Sequence, residues 1–151
     1  RRHFAGLGLT PLRNQHVVLR RGDAALVLAG VDDHTGGKFG AAHAPRYDDA
    51  LAGRPADAPV VLLAHQPRQI VHAIRHRVAL QLSGHTHGGQ LWPWGYFVRL
   101  QQPYVYGLHR HGDAQIYVSA GTGYWGPPMR LASESEITEV ILRPERASDR
   151  G

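Results

Sequence analysis

Three of the eleven histidines in this 151-residue sequence stand where they could hold a metal ion. His65 closes the apolar run at residues 60–64 (VVLLA) and continues into Gln66-Pro67. His85 and His87 come just after residues 78–82 (VALQL), inside Ser83-Gly84-His85-Thr86-His87-Gly88-Gly89-Gln90. On an extended segment a His-x-His pair directs both rings to one side, because side chains alternate there. Flanking glycines let the backbone turn sharply and keep bulk away from an approaching ligand. Imidazole suits Zn, Fe and Mn. With so many histidines, one His-x-His arises by chance, and His109 and His111, beside a turn, read as solvated strand-end residues.

The elements that must position these rings are strands. Residues 59–64 form a continuous apolar run, expected as a strand buried on both faces. Residues 67–76 follow as a helix that starts on a proline and places Ile70, Val71 and Ile74 on one face. Residues 78–82 are the next strand, so 59–82 has the pattern of a strand–helix–strand unit with a short crossover. If those strands are neighbours, both histidine loops leave the same edge, the carboxyl ends where open α/β sheets place their sites.

Upstream, residues 16–20 and 24–31 read as two strands of a hairpin turning at Gly22-Asp23. Residues 32–45 read as a loop and 46–51 as a short helix ended by Gly53 and Pro55. Downstream, 83–95 is irregular and Gly-rich. Further strands are expected at 104–109, 115–119 and 136–142, with a Gly/Pro loop at 121–128. Trp92, Trp94, Tyr96 and Phe97 either line a substrate groove or pack a long loop, the commoner role. Ser83 and Ser119 lack an identifiable base with an orienting group, which argues against a serine hydrolase. The expected class is mixed α/β with strands predominating.

Composition narrows the field. At 42% hydrophobic and 19% charged residues the chain can bury a core, and with no cysteine it has neither a disulfide scaffold nor a thiol nucleophile. No apolar run approaches the ~20 residues of a spanning helix, and no targeting leader is visible. The net charge is +5, but sixteen of the seventeen basic residues are dispersed arginines, so no nucleic-acid partner is expected. The sequence opens on Arg1-Arg2-His3 without methionine, so its start is expected to be missing, and a signal peptide or a membrane segment could have been lost with it.

LLAHQP (62–67) followed by LSGHTHGGQ (82–90) resembles the second half of the calcineurin-like metallophosphoesterases, in particular a bacterial subgroup with membrane-associated members. YVSAGTGYWGPPMRL (117–131) and EITEVIL (136–142) resemble that subgroup's closing segment, and LRNQHVVL and LVLAGVDD the stretch after its Asn-His motif. The resemblance spans about residues 5 to 142. It implies a four-layer αββα sandwich with mixed sheets, of which residues 1–145 are the C-terminal portion of a single domain and 146–151 a polar tail. It also implies two divalent metal ions (Mn, Fe or Zn), with His65 and His85 on one and His87 on the other. The implied activity is hydrolysis of a phosphate mono- or diester, and the implied partner is that substrate. Location is expected to be membrane-associated or cytoplasmic.

The Asp-x-His, Gly-Asp-x-x-Asp and Gly-Asn-His elements of that family are absent from this sequence. Asp32-Asp33-His34 falls after their place in the motif order, and Gly22-Asp23 lies in a hairpin turn without the second aspartate. One ion would keep two protein ligands and the other one, where stable sites use three or four. Weak metal binding and little activity are therefore expected of this chain alone. The alternative is a non-catalytic, mononuclear metal-binding β-rich domain using the same histidines. A histidine barrel site would add a glutamate shortly after, and none occurs between His87 and Leu100.

Overall fold

The computed structural model describes residue 4 and residues 6–143. The tail expected at 146–151 lies outside the described residues. Two strands, β1 (Gln15–Arg21) and β2 (Ala24–Gly30), form the antiparallel hairpin, pairing Val18 with Val27 and Arg21 with Ala24. The chain then makes two short 3-10 turns, Gly36–Phe39 and Ala41–His43, inside the expected loop, and a short helix α1 (Tyr47–Leu51). β3 (Val60–Leu63) follows, then a helical stretch built of the 3-10 turn Pro67–Gln69, helix α2 (Ile70–Ala73) and the 3-10 turn Ile74–His76. β4 (Leu80–Ser83), the 3-10 turn His87–Gly89, helix α3 (Gly95–Gln101), β5 (Gly107–His111) and β6 (Ala114–Val118) complete the order.

These strands make one mixed six-stranded sheet in the order β1-β2-β3-β4-β6-β5. β2–β3, β3–β4 and β4–β6 are parallel, and the two outer pairs are antiparallel hairpins. The central strands are apolar because the parallel arrangement buries them most.

One face carries the core. Val27 and Ala29, Val60 and Leu62, and Ile116 and Val118 pack there against Ala50 and Leu51 of α1 and Ile70 and Ala73 of α2. Alternation sends the neighbouring residues to the other face. That face is also apolar, yet Leu19, Leu63 and Leu108 stand 49%, 39% and 61% exposed on it. Among the described residues, helices cover one side of the sheet only.

Two expectations needed revision. The strand expected at 104–109 begins at Gly107, because residues 102–106 carry the chain from α3 to the sheet edge and take no strand pairing. No strand forms over the described residues of 136–142. The alternating apolar pattern of EITEVIL mimics a strand, but a strand needs a partner edge, and Ile137 is 92% exposed. Glu136 alone is tightly held, as described below. Helix α3 was not expected, since its run of Tyr, Phe and Val carries β-formers and no cap signal.

Replacing Leu62 by Ala should cost about 2–5 kcal/mol in urea denaturation, as it opens a cavity in the helix-covered core. Leu108→Ala should stay within about 0.5 kcal/mol. Equal losses at the two positions would show that the open face is covered.

Candidate functional site

The β3–β4 pairing sets the site. Beyond the strands the ladder continues: Ala64 N–H donates to Leu82 O at 3.1 Å, and Gly84 N–H donates to His65 O at 3.1 Å. Ser83 Oγ donates to Ala64 O at 2.6 Å, and Gln81 Nε2 to Ser83 Oγ at 2.9 Å. His65 and His85 are thereby carried out of the sheet side by side. Their ring centroids are 5.0 Å apart and their planes 75° inclined.

His85 and His87 both adopt left-handed backbone, with φ of +71° and +51°. Such angles are uncommon for residues with a Cβ and concentrate at functional sites. The Gly88-Gly89 pair, at φ +63° and +87°, then takes the chain under Ser133 and Gly95. A Cβ on Gly88 would come within 2.7 Å of Ser133 Oγ, and one on Gly89 within 2.8 Å of Gly95 Cα. This is why the loop is glycine-framed: the side chains of Ser133 and Ala120 lie against Gly88, and the backbone of Gly95 against Gly89.

His65, His85 and His87 share one cleft of about 500 Å³, with Trp94, Phe97 and Trp125 on its far wall. His65 and His85 form a contacting pair, whereas His87 stands further along the wall. Among the described residues no group of three His, Cys, Asp or Glu side chains is close enough to hold an ion. The structure thus brings two of the three expected ligands together and leaves the third within the same opening.

Burial lowers the His85 pKa, as does the proximity of His65, against a smaller opposing pull from Asp33. Its imidazole is held neutral, the form that offers a lone pair to a metal. Asp33 is held differently. Burial pushes its carboxyl up, but hydrogen bonds from Thr35 N and Oγ1, at 2.8 and 2.5 Å, and from Gln66 Nε2, at 3.1 Å, outweigh it with help from His65. The net result is a carboxylate held ionised beside the histidines, with its oxygens already engaged. Asp32 points elsewhere, into a two-pronged ion pair with Arg13 at 2.9 and 2.7 Å.

Several supporting residues escaped the motif reading. Gln66 bridges Asp33 to Gln102, whose Nε2 donates to Gln66 Oε1 at 3.3 Å, tying the His65 turn to the end of α3. Gln90 accepts from Trp125 N at 2.8 Å and donates to Trp125 O at 2.7 Å, clamping the aromatic wall. Arg130 donates to the carbonyls of His87, Ala120, Gly121 and Gly123, so it fastens the His87 loop to the loop after β6. Nothing marked Arg130 among sixteen arginines. His87 Nδ1 lies 3.3 Å from Gly123 O and 3.5 Å from Arg130 Nη2; in the tautomer that donates to Gly123 O, Nε2 is left free. Glu136 accepts from Tyr106 Oη, Tyr117 Oη and Ala120 N, each at 3.0 Å, and so anchors the closing segment.

No family model matches the chain. Individual proteins do. An uncharacterized metallophosphoesterase of Helicobacter pylori is 44% identical over 141 residues, which is 92% of this chain and 37% of that protein. Over 92% of its length the chain is thus similar to a protein named as a metallophosphoesterase. A Danio rerio transmembrane protein with metallophosphoesterase domain is 39% identical across 91% of this chain and 33% of its own length. An uncharacterized metallophosphoesterase of Aquifex aeolicus is 37% identical across 93% of this chain and 57% of its own. The chain spans about a third to just over half the length of these relatives. Among solved structures, the sulfate thiohydrolase SoxB of Thermus thermophilus, in complex with glycerol, superposes with a TM-score of 0.50 over 80% of this chain and 25% of that one, at 22% identity. That likeness is one of fold.

The lowered pKa of His85 sets a sign. Its folded value lies below the unfolded one, so stability is intact above the unfolded value near 6.5 and declines as pH falls through that range. His72 is also lowered by burial and contributes in the same direction. Chemical denaturation from pH 7.5 to 5 should show this decline, and His85→Gln should flatten it in part. An unchanged slope in that variant would contradict the assignment.

Proposed function

We propose that this chain contributes the histidine side of a dinuclear metallophosphoesterase centre, with His65 and His85 directed to one divalent ion and His87 to the other. The observation that supports this most is the 5.0 Å pairing of His65 and His85 at the carboxyl ends of two adjacent parallel strands. The donor set suits such ions: two adjacent imidazoles, one of them held neutral, open into a cleft, and a third has its Nε2 free. It is an incomplete set, and the remaining donors would be the carboxylates of the family's earlier motifs, absent from this sequence. Bound there, divalent ions would offset the charge developing on the phosphoryl oxygens of an ester undergoing hydrolysis.

The chain's own residues have definable parts. His65, His85 and His87 present nitrogen donors, Asp33 holds the Gln66 amide and through it the His65 turn, and Arg130 positions the His87 loop. Trp94, Phe97 and Trp125 close the cleft opposite and restrict water there. The open apolar face of the sheet is the surface on which a second sheet would pack to give a four-layer sandwich. The substrate is a phosphate ester, and the relatives named as transmembrane proteins support placement near a membrane. No helix among the described residues is long and apolar enough to cross one.

A second reading has one observation in its favour: only two of the three histidines meet. It is a mononuclear, non-catalytic metal site, and metal counting separates the two. In a chain extended to carry those upstream motifs, two equivalents of Mn, Fe or Zn should bind, with turnover of an aryl phosphodiester. His65→Ala, His85→Ala and His87→Ala should each lower kcat/KM by about a hundredfold or more. One equivalent of metal without turnover would favour the second reading.

Arg130→Ala should lower kcat/KM about tenfold by loosening the His87 loop, with Arg130→Lys intermediate. The 151-residue chain alone should bind metal weakly and turn over little. Tight binding of two ions by this chain would refute the incomplete-site account.

A further inference from the structure

Helix α3 and the turn before it present a surface that the fold does not use. Trp92, Trp94, Tyr96, Phe97 and Leu100 are all exposed within nine residues, Leu100 by 82% and Trp92 by 65%. Trp94 extends the surface to Trp125, with ring centroids 6.2 Å apart. Single exposed apolar residues are ordinary, but a contiguous aromatic patch marks a contact surface. Its position narrows what that contact is, since Trp94, Phe97 and Trp125 also form the wall of the histidine cleft.

The charge around it narrows the contact further. Between Asp57 and Asp113 the sequence contains no acidic residue and five arginines. Arg99 lies within α3 and lines a shallow recess with Trp92 and Tyr96. Exposed Arg68 stands at the same, C-terminal end of the helix, its backbone N–H donating to Gln102 Oε1 at 3.0 Å. Glu134 and Glu136 sit beyond Gly88, in a separate groove. Trp and Tyr prefer the headgroup region of a bilayer, aliphatic side chains sink below it, and arginines attract anionic lipid.

We propose that Trp92, Tyr96 and Leu100, flanked by Arg99 and Arg68, dock on an anionic lipid surface, so that the histidine cleft meets a phosphate ester carried on a membrane lipid. This rests on the hydrolase reading for the substrate and stands apart from it for the docking. The aliphatic Leu100 at the most exposed point favours lipid over a nucleic acid, whose bases stack on aromatic rings and gain nothing from it.

Trp92, Trp94 and Trp125 are the three tryptophans of the chain, so selectively excited tryptophan emission reads this patch and the adjoining cleft wall. Titration with vesicles of about 30% phosphatidylglycerol in phosphatidylcholine should shift the emission to the blue and sediment the protein with the vesicles. Tyr96→Ser/Leu100→Ser should weaken that binding by about tenfold or more, and Arg99→Gln should weaken it on anionic but not on neutral vesicles. Leu19→Ser/Leu108→Ser, on the open sheet face, should leave it unchanged. No spectral shift, loss only in the sheet-face variant, or displacement by single-stranded DNA would each overturn the proposal.

Hydrolysis separates this inference from the one beneath it. In the extended chain, Tyr96→Ser/Leu100→Ser should cut release of phosphate from phosphatidic acid in vesicles while sparing a soluble aryl phosphate. Equal rates on both substrates would overturn the lipid assignment and leave the hydrolase reading intact. Vesicle binding without hydrolysis of either substrate would do the reverse.

Discussion

Everything at this site depends on the parallel pairing of β3 with β4 continuing past the ends of both strands. The hydrogen bond from Gly84 N to His65 O at 3.1 Å joins the residue before one histidine to the backbone of the other. It is placed where the sheet stops, so the rings leave a rigid support at the moment the chain becomes free to turn. Ser83 Oγ on Ala64 O and the buried Gln81 amide on Ser83 reinforce the same seam from inside. A parallel pair requires a crossover, and the short helical stretch from Pro67 to His76 is that crossover. Its capping box, in which Gln66 and Gln69 bond each other's backbone, starts the helix at Pro67, two residues after His65. The same turn that ends the strand therefore aims the histidine.

The left-handed backbone at His85 and His87 follows from that constraint. After β4 the chain must reverse within a few residues to bring a second imidazole into the opening that His65 and His85 already share. Glycine would adopt these angles more readily, yet the ring has to be there. The strain is met by contacts on the far side, where Ser133 Oγ and Arg130 both donate to His87 O, at 2.7 and 3.2 Å. A loop after β6, more than thirty residues away, thus holds the second histidine in place.

What could be read in advance follows the range of the interaction concerned. The hairpin, the β3–helix–β4 unit and the strand-end placement of His65 and His85 rest on local pattern, on β-branched runs, on Pro67 and on glycine framing. Each of these is present in a window of about ten residues. The support network is not local. Gln66 reaches Asp33, Gln90 reaches Trp125 and Arg130 reaches His87 across separations of thirty residues or more, and a Gln or an Arg looks alike wherever it stands. EITEVIL failed as a strand for a related reason, because alternation describes the faces a strand would have but supplies no edge for it to pair with. Helix α3 failed in the opposite sense. Its aromatic residues are good strand formers, and only the three-dimensional context, with Gly95 lying against Gly89 and Gln102 bound to Gln66 and Arg68, makes that stretch helical.

The two apolar surfaces of the molecule call for different explanations. The open sheet face is aliphatic, regular and continuous with a core, with Val61 and Leu80 already buried at its centre and Leu19, Leu63 and Leu108 at its margins. Its flat, pleated repeat matches another sheet, which would bury it as sheets bury one another, at about 10 Å separation. The α3 surface is aromatic and mixed with arginine, and it lacks the pleated aliphatic repeat of a sheet face. Tryptophan and tyrosine side chains, which keep polar atoms at their tips, are suited to a boundary between apolar and aqueous media. One surface thus has the form that a second sheet would bury, whereas the other shares Trp94 and Phe97 with the histidine cleft.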